Sequence, residues 1–140
     1  MASRRHPLLA DDERTDARER AMMLLYEADN RRIPVADVVA AQAMPIDSLT
    51  TLLVDGVVGH AERIDREIAA YAKGWTLQRM PAIDRTVLRI GAFELLGRPD
   101  VPVAVVLDEA VELVKTYSTD DSGRFVNGVL AALVPVLRTA

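Results

Sequence analysis

Apolar residues recur every three or four positions along almost the whole chain, and this spacing constrains the fold more than any other feature. Ala17, Ala21, Leu24 and Ala28 form one such stripe near the start of the 140-residue sequence. The valine-rich run 101–107 resembles a strand, but the charged residues that follow it favour a helix. No alternating stretch is flanked by turn dipeptides. The pattern therefore predicts an all-α fold, a compact bundle of about seven helices in a single domain spanning residues 1–140.

Prolines and small polar residues predict where several helices begin and end. Residues 1–12 mix basic and acidic side chains, and we expect them to form a flexible tail before the first helix. Asp47 or Ser48 is suited to the N-cap of a helix that carries an apolar stripe. Pro135 cannot donate a backbone hydrogen bond, so we expect the last helix to kink or end near Val134.

Composition excludes several kinds of chemistry. The chain has no cysteine and two histidines, without an HExxH or ExxH pattern, so we expect no metal site and no disulfide. GxGxxG, GxxxxGK[ST] and GxSxG motifs are also absent, which gives no support to an enzyme or a bound cofactor. No apolar run is long enough for a signal peptide or a membrane span, and we expect a cytoplasmic protein.

The net charge of −4 argues against a generally basic nucleic-acid coat protein, but local cationic patches remain. Arg14 and Arg18 are four residues apart and share one helix face, from which both could reach phosphates. Acidic residues balance the arginines within residues 1–20, so a solvated, salt-bridged helix end is an equally good interpretation.

The segment 118–130, STDDSGRFVNGVL, combines helix-starting residues with a cation and an aromatic ring. Lys115, Tyr117, Arg124 and Phe125 interleave aromatic and cationic side chains, a combination that suits single-stranded RNA. For Phe125 we favour the alternative that the ring anchors its helix in the core, whereas for Tyr117 we favour binding.

Two further features have structural explanations that we prefer to ligand contact. Asn127 and Gly128 are both poor helix formers inside a helical pattern, and we expect close helix packing at Gly128. Trp75, the only tryptophan, follows Gly74, and we expect it to pack between the two halves of the chain.

Segments covering most of the chain resemble the NusB family of transcription antitermination factors. The matching segments are ARERAMMLLYEAD (Ala17–Asp29), Leu53–Leu96 and Val101–Leu130. The most specific pieces are IDRTVLR, DEAVELVK and FVNGVL. Each is weak alone, but they occur in the family's order.

The resemblance implies an all-α fold of two small helical subdomains and no enzymatic activity. It implies binding of single-stranded boxA-like RNA from ribosomal-RNA leaders together with NusE, a ribosomal protein of the small subunit, within the transcription elongation complex. Some members of the family form homodimers, so the resemblance makes a homodimer a further expectation. By resemblance the RNA-binding residues are Arg14, Arg18, Tyr117, Asp121, Ser122, Arg124 and Phe125. Tyr26 and Asp84 match positions that bind the partner protein.

One departure from the family pattern concerns the N-terminal arginines. Family members usually carry a run of arginines directly before ARE, whereas this chain has Arg14, Thr15 and Asp16. A carboxylate in place of a cation should weaken phosphate binding. The neutral N-terminus therefore leaves a helical adaptor that binds only protein as the second hypothesis, and an enzyme with an unrecognised site as the third.

Overall fold

The computed structural model describes residues 10–138, and this part of the chain is helical without strands. Seven α-helices and one 3₁₀ turn follow one another with short connections. Their bounds are α1 Ala10–Arg31, α2 Val35–Ala40, α3 Ser48–Gly59, α4 Ala61–Tyr71, the 3₁₀ turn Leu77–Arg79, α5 Ala82–Gly97, α6 Val103–Tyr117 and α7 Asp120–Leu137. The prediction of an all-α bundle of about seven helices is confirmed.

Helix α5 is the centre of the bundle. It packs against α1, α3, α4, α6 and α7, so it presents apolar residues around most of its circumference. Two close approaches depend on glycine: a Cβ atom at Gly56 would lie 2.2 Å from the Phe93 ring, and one at Gly91 would lie 2.8 Å from Leu130. Helices α3 and α7 therefore approach α5 more closely than side chains at those two positions would allow.

The helices form two groups that share one core. Helices α1, α2 and α3 pack together at the N-terminal side, while α4 to α7 form the second group around α5. One cluster of buried apolar residues extends from Ala17 in α1 to Leu137 in α7, so the interior is continuous across both groups.

Helix starts agree with the sequence pattern in one case and differ in another. Asp47 is the N-cap of α3, as predicted: its carboxylate accepts hydrogen bonds from the Thr50 amide at 3.0 Å and the Thr50 hydroxyl at 2.6 Å. Helix α1 begins at Ala10, so residues 10–12 belong to the helix and not to the expected tail. The rest of that tail lies outside the described residues.

Pro135 was expected to kink or end α7 near Val134, and the second alternative, an end near Val134, is wrong. The helix continues through Pro135 to Leu137, which is buried. Pro135 and the preceding turn at Ala131 are exposed, so water can satisfy the carbonyl that proline leaves without a donor. Arg138 then donates hydrogen bonds to the carbonyls of Glu94 at 2.7 Å and, among others, of Arg98 at the end of α5, which holds the last turn in place.

Candidate nucleic-acid interface

The start of α7 is organised by a capping box. The Thr119 hydroxyl accepts a hydrogen bond from the Ser122 amide at 3.2 Å, and the Thr119 amide donates to the Ser122 hydroxyl at 3.4 Å. Ser118 and Ser122 hydroxyls lie 3.1 Å apart, which ties the end of α6 to the same turn. Ser122, which was expected to contact RNA, is buried, and its hydroxyl takes part in the helix cap.

Arg124 and Asp121 project from this turn into solvent. Their side chains are 90% and 91% exposed, and the guanidinium Nη2 lies 3.2 Å from the carboxylate Oδ1. An ion pair this exposed is strongly screened by water and contributes little to stability. Arg124 can therefore exchange this carboxylate for a phosphate at small cost, and Asp121 sits close enough to modulate that exchange.

Tyr117 connects the end of α6 to α1. Its ring is partly exposed, and its hydroxyl donates a hydrogen bond to the Glu19 carboxylate. Arg14 lies on the same helix as Glu19, and its side chain is exposed. The contact brings the N-terminal helix beside the turn that carries Arg124, although these residues are about a hundred positions apart in the chain.

Phe125 and Trp75 form an aromatic pair next to Arg124. Phe125 is half-buried against the core, as we favoured, and its ring centroid lies 6.1 Å from that of Trp75 at an interplanar angle of 58°. Trp75 is 48% exposed, so it is not simply packed between the two halves as expected. It follows Gly74, whose φ of 83° turns the chain outward after α4. The sequence did not predict this exposed indole beside Phe125.

Arg18, which was expected to contact a phosphate, lies in the interior and is 2% exposed. Its Nε and Nη2 lie 2.8 and 2.9 Å from the two carboxylate oxygens of Glu94, and its Nη1 lies 3.5 Å from Glu109. Glu94 also pairs with Arg98 at 2.9 Å, and Thr15 donates to Glu109 at 2.6 Å. Two arginines and two glutamates thus balance one another where α1, α5 and α6 meet.

The two residues expected to bind a partner protein differ in exposure. Tyr26 is half-buried on α1, whereas Asp84 is 2% exposed in the first turn of α5. The carboxylate of Asp84 is thus buried where a docked protein would not touch it, and its Oδ1 has no hydrogen-bond partner among the described residues. The side chain following it, Arg85, does reach the surface, where it pairs with Asp29 at 2.7 Å.

This surface continues into a concave, charge-rich region of about 480 Å³ between α1, α4 and α5. Arg89 pairs there with Asp65 at 2.8 Å, and Arg32 lies at the edge with a φ of 57°. Arg85 and Arg89 are both paired with carboxylates, so they do not form a purely basic patch. The region offers both signs of charge to a protein surface.

His60 lies between α3 and α4, and its Nδ1 is 2.9 Å from the Gly56 carbonyl. The prediction of close helix packing at Gly128 is wrong, because an added Cβ would meet no described atom within 4 Å.

Within residues 10–138 no group of three or more potential ligands could hold a metal ion. None of the described helices is long and apolar enough to span a membrane.

A family model described as the NusB family matches residues 15–135. The chain belongs to the NusB family. A relative from Saccharopolyspora erythraea named transcription antitermination protein NusB is 50% identical over 129 residues, which cover 88% of this chain and 87% of the relative. A relative of the same name from Streptomyces avermitilis is 46% identical, covering 86% of this chain and 90% of its own length.

Solved NusB structures share the fold. The structure of T. maritima NusB has a TM-score of 0.79 and 30% identity, covering 87% of this chain and 90% of that one. A structure described as antitermination factors NusB and NusE in complex with dsRNA has a TM-score of 0.75 and 31% identity, covering 88% and 96% of the two chains. The family and the fold that the motifs predicted are confirmed.

Proposed function

We propose that this NusB-family protein is an RNA-binding transcription antitermination factor. It binds boxA-type RNA of ribosomal-RNA leaders together with the ribosomal protein NusE, and in the elongation complex it supports processive transcription. The observation that carries the proposal is a set of exposed side chains around the start of α7: the Arg124 guanidinium, the Tyr117 ring at the end of α6, and the Trp75 ring that packs against Phe125.

Each part of this surface has a separate task in binding single-stranded RNA. Arg124 pairs with a phosphate, which releases condensed counterions and makes affinity depend on salt. Trp75 and Tyr117 offer ring faces on which unpaired bases stack. Phe125 supports the Trp75 ring from the core side, so the stacking surface is held before RNA arrives.

Helix α1 contributes more weakly to the electrostatics of this surface. Arg14 is exposed there, but Asp16 is exposed two residues later, and Glu19 lies at the Tyr117 hydroxyl. These carboxylates reduce the local positive potential. We therefore expect the protein alone to bind RNA with modest affinity and NusE to supply additional contacts.

NusE docks on the other face, near Tyr26. The ion pairs of Arg85 and Arg89 with Asp29 and Asp65 present alternating charges beside it, which suits a polar protein surface. In this proposal the buried Asp84 shapes the start of α5 and does not touch the partner. The protein performs no catalysis and acts in the cytoplasm, where transcription takes place.

Fluorescence-anisotropy titration tests this function. The probes are a boxA-type RNA, a scrambled single strand and a duplex of the boxA sequence, each at two salt concentrations with and without NusE. We expect selective, salt-sensitive binding of the boxA strand that NusE tightens, and loss of that binding in Arg124→Glu. Arg63→Glu, on the exposed face of α4, is the matched charge reversal and should leave binding unchanged.

Two results would contradict the proposal. If folded protein showed no selective binding with or without NusE, it would act as an adaptor that binds only protein. If Arg124→Glu kept both its affinity and its salt dependence, the RNA would lie on another surface.

A further inference from the structure

Asn127 and Gly128 lie within α7 although both residue types disfavour helices, and the fold gives no reason for them. Both are exposed in the middle of an 18-residue helix, where each is a poor helix former. A Cβ at Gly128 would meet no described atom within 4 Å, so no neighbouring helix requires glycine there. Residues that cost stability without a packing reason point to a requirement outside the folded chain.

These two residues line a groove between α6 and α7 of about 750 Å³. Its size is within the range of small-molecule sites and leaves room for a nucleobase with its ribose. The α6 side carries Asp108, Val111, Glu112 and Lys115, and the α7 side carries Asp120, Gly123, Arg124, Asn127 and Gly128. Both cationic and carboxylate side chains therefore line this one groove.

The groove is continuous with the proposed RNA surface because Arg124 belongs to both. The Lys115 side chain extends from α6 towards α7, and its Cγ would lie 3.6 Å from a Cβ built at Gly123. Both cations are exposed, Lys115 in the last turn of α6 and Arg124 near the start of α7, where phosphates of an RNA strand would enter. A strand held there by its phosphates brings the adjoining base to Asn127.

We propose that the α6–α7 groove binds one base of the RNA, and that this base carries an amino group. The inference rests on the proposed function. Carboxylates of Asp108 and Glu112 can only accept hydrogen bonds, so they favour a base edge that donates. Uracil presents carbonyl oxygens on both sides of its single N–H group and fits poorly. The Asn127 carboxamide both donates and accepts, so it can bond the rest of the edge.

Gly128 has a defined part in this arrangement. Without a side chain it leaves the helix backbone open at the bottom of the groove, and the base can lie against it. A longer side chain at this position would occupy the groove without disturbing any packed residue. The site can therefore be blocked by a substitution that the fold tolerates.

The first test is Gly128→Gln, with Gly59→Gln as the matched control. Both glycines are exposed helical positions with open space around the added Cβ, and Gly59 lies in α3 outside the groove. Glutamine is a better helix former than glycine, so neither variant should have a lower thermal midpoint. We expect Gly128→Gln to weaken boxA-type RNA binding about five- to a hundredfold and Gly59→Gln to leave it unchanged.

The second test locates the base. Each amino-bearing base of the boxA-type RNA is replaced in turn by its analogue without the amino group: hypoxanthine for guanine, purine for adenine and 2-pyrimidinone for cytosine. One replacement should weaken binding to the native protein about five- to a hundredfold. The same replacement should have no further effect on the double variant Asp108→Ala with Glu112→Ala, which lacks the carboxylates that accept from the amino group. The salt dependence of this variant should equal that of the native protein because no phosphate contact is lost.

The outcomes separate this inference from the proposed function. If Arg124→Glu abolishes binding while Gly128→Gln and the double variant Asp108→Ala with Glu112→Ala retain native affinity and base preference, the groove is not a base site and the RNA surface remains. If the native protein binds no RNA selectively, both proposals are wrong. Loss of affinity in Gly128→Gln, together with a base effect that disappears in the double variant, establishes the groove as the base-binding site.

Discussion

Arg18 and Arg124 form ion pairs of similar length in opposite surroundings. The Arg18 pair with Glu94 is almost completely buried and joins helices that are distant in sequence, whereas the Arg124 pair with Asp121 is about nine-tenths exposed and joins one turn of a single helix. A desolvated charge must keep its partner, while a solvated one can change it. Burial therefore separates an arginine that holds the fold from one that can bind a ligand.

Removal of the buried cation should produce the largest effect. Arg18→Ala leaves Glu94 buried with only Arg98 as its partner, and we expect the free energy of unfolding to fall by about 3 kcal/mol or more. Urea unfolding measures it. The double variant Arg18→Met with Glu94→Leu removes both charges and should recover much of the loss. A fall of less than about 1 kcal/mol in Arg18→Ala would mean that this pair does not hold the helices together.

Trp75→Ala sharpens the comparison on the exposed side. Loss of a stacking ring should weaken binding of boxA-type RNA by about 1–3 kcal/mol. Because the indole is half-exposed, the unfolding free energy should change much less. Anisotropy and urea titrations on the same sample measure both quantities. Equal losses in the two titrations would show that Trp75 mainly packs the interior.

Asp47 is the intermediate case, an exposed carboxylate with a structural role. Asp47→Ala removes the N-cap of α3 and should cost about 1 kcal/mol of unfolding free energy. The Thr50 hydroxyl bond lowers the pKa of Asp47 below its ordinary value. Its stabilisation is therefore complete above the pKa of the unfolded chain and is lost as pH falls through the folded pKa.

The pH dependence of Asp47→Asn checks that sign. Asparagine still caps the helix but does not titrate, so the variant should lose less stability than the native protein on acidification below about pH 4. If the native protein and Asp47→Asn lost equal stability over this pH range, the Asp47 carboxylate would not contribute to the pH dependence of folding.

Arg124→Gln should have the smallest effect on stability. Its screened pair with Asp121 contributes little, so the unfolding free energy should stay within about 0.5 kcal/mol of the native value. Thermal and urea unfolding measure this. A loss as large as that of Arg18→Ala would remove the distinction between the two arginines.

The sequence predicted those features that depend on local spacing. Helical periodicity gave the seven helices, and the residue type at Asp47 gave a cap, because both are set within a few positions. The sequence could not show that Arg18 is buried while Arg14 is exposed, because the two residues share a helix face in the pattern. The partner that buries Arg18 is Glu94, 76 residues further along the chain, and only tertiary packing reveals it.

Pro135 and Gly128 show the same limit of local rules. Pro135 was expected to kink or end α7. The helix does not end there, because its turn faces water, and burial of Leu137 with the bonds of Arg138 maintains the last turn. Gly128 was expected to lie at a close helix contact, whereas Gly56 and Gly91 occupy such contacts. Whether a poor helix former serves packing or a surface depends on what lies opposite it in space.

The salt dependence of RNA binding in Arg124→Gln, measured beside the double variant Arg18→Met with Glu94→Leu, tests the central distinction most directly. Loss of one phosphate contact lowers the slope of log affinity against log salt by about 0.7 for a single strand. We predict this reduction in Arg124→Gln and an unchanged slope in the double variant. A reduced slope only in the double variant would contradict the conclusion that Arg124 contacts a phosphate and Arg18 does not.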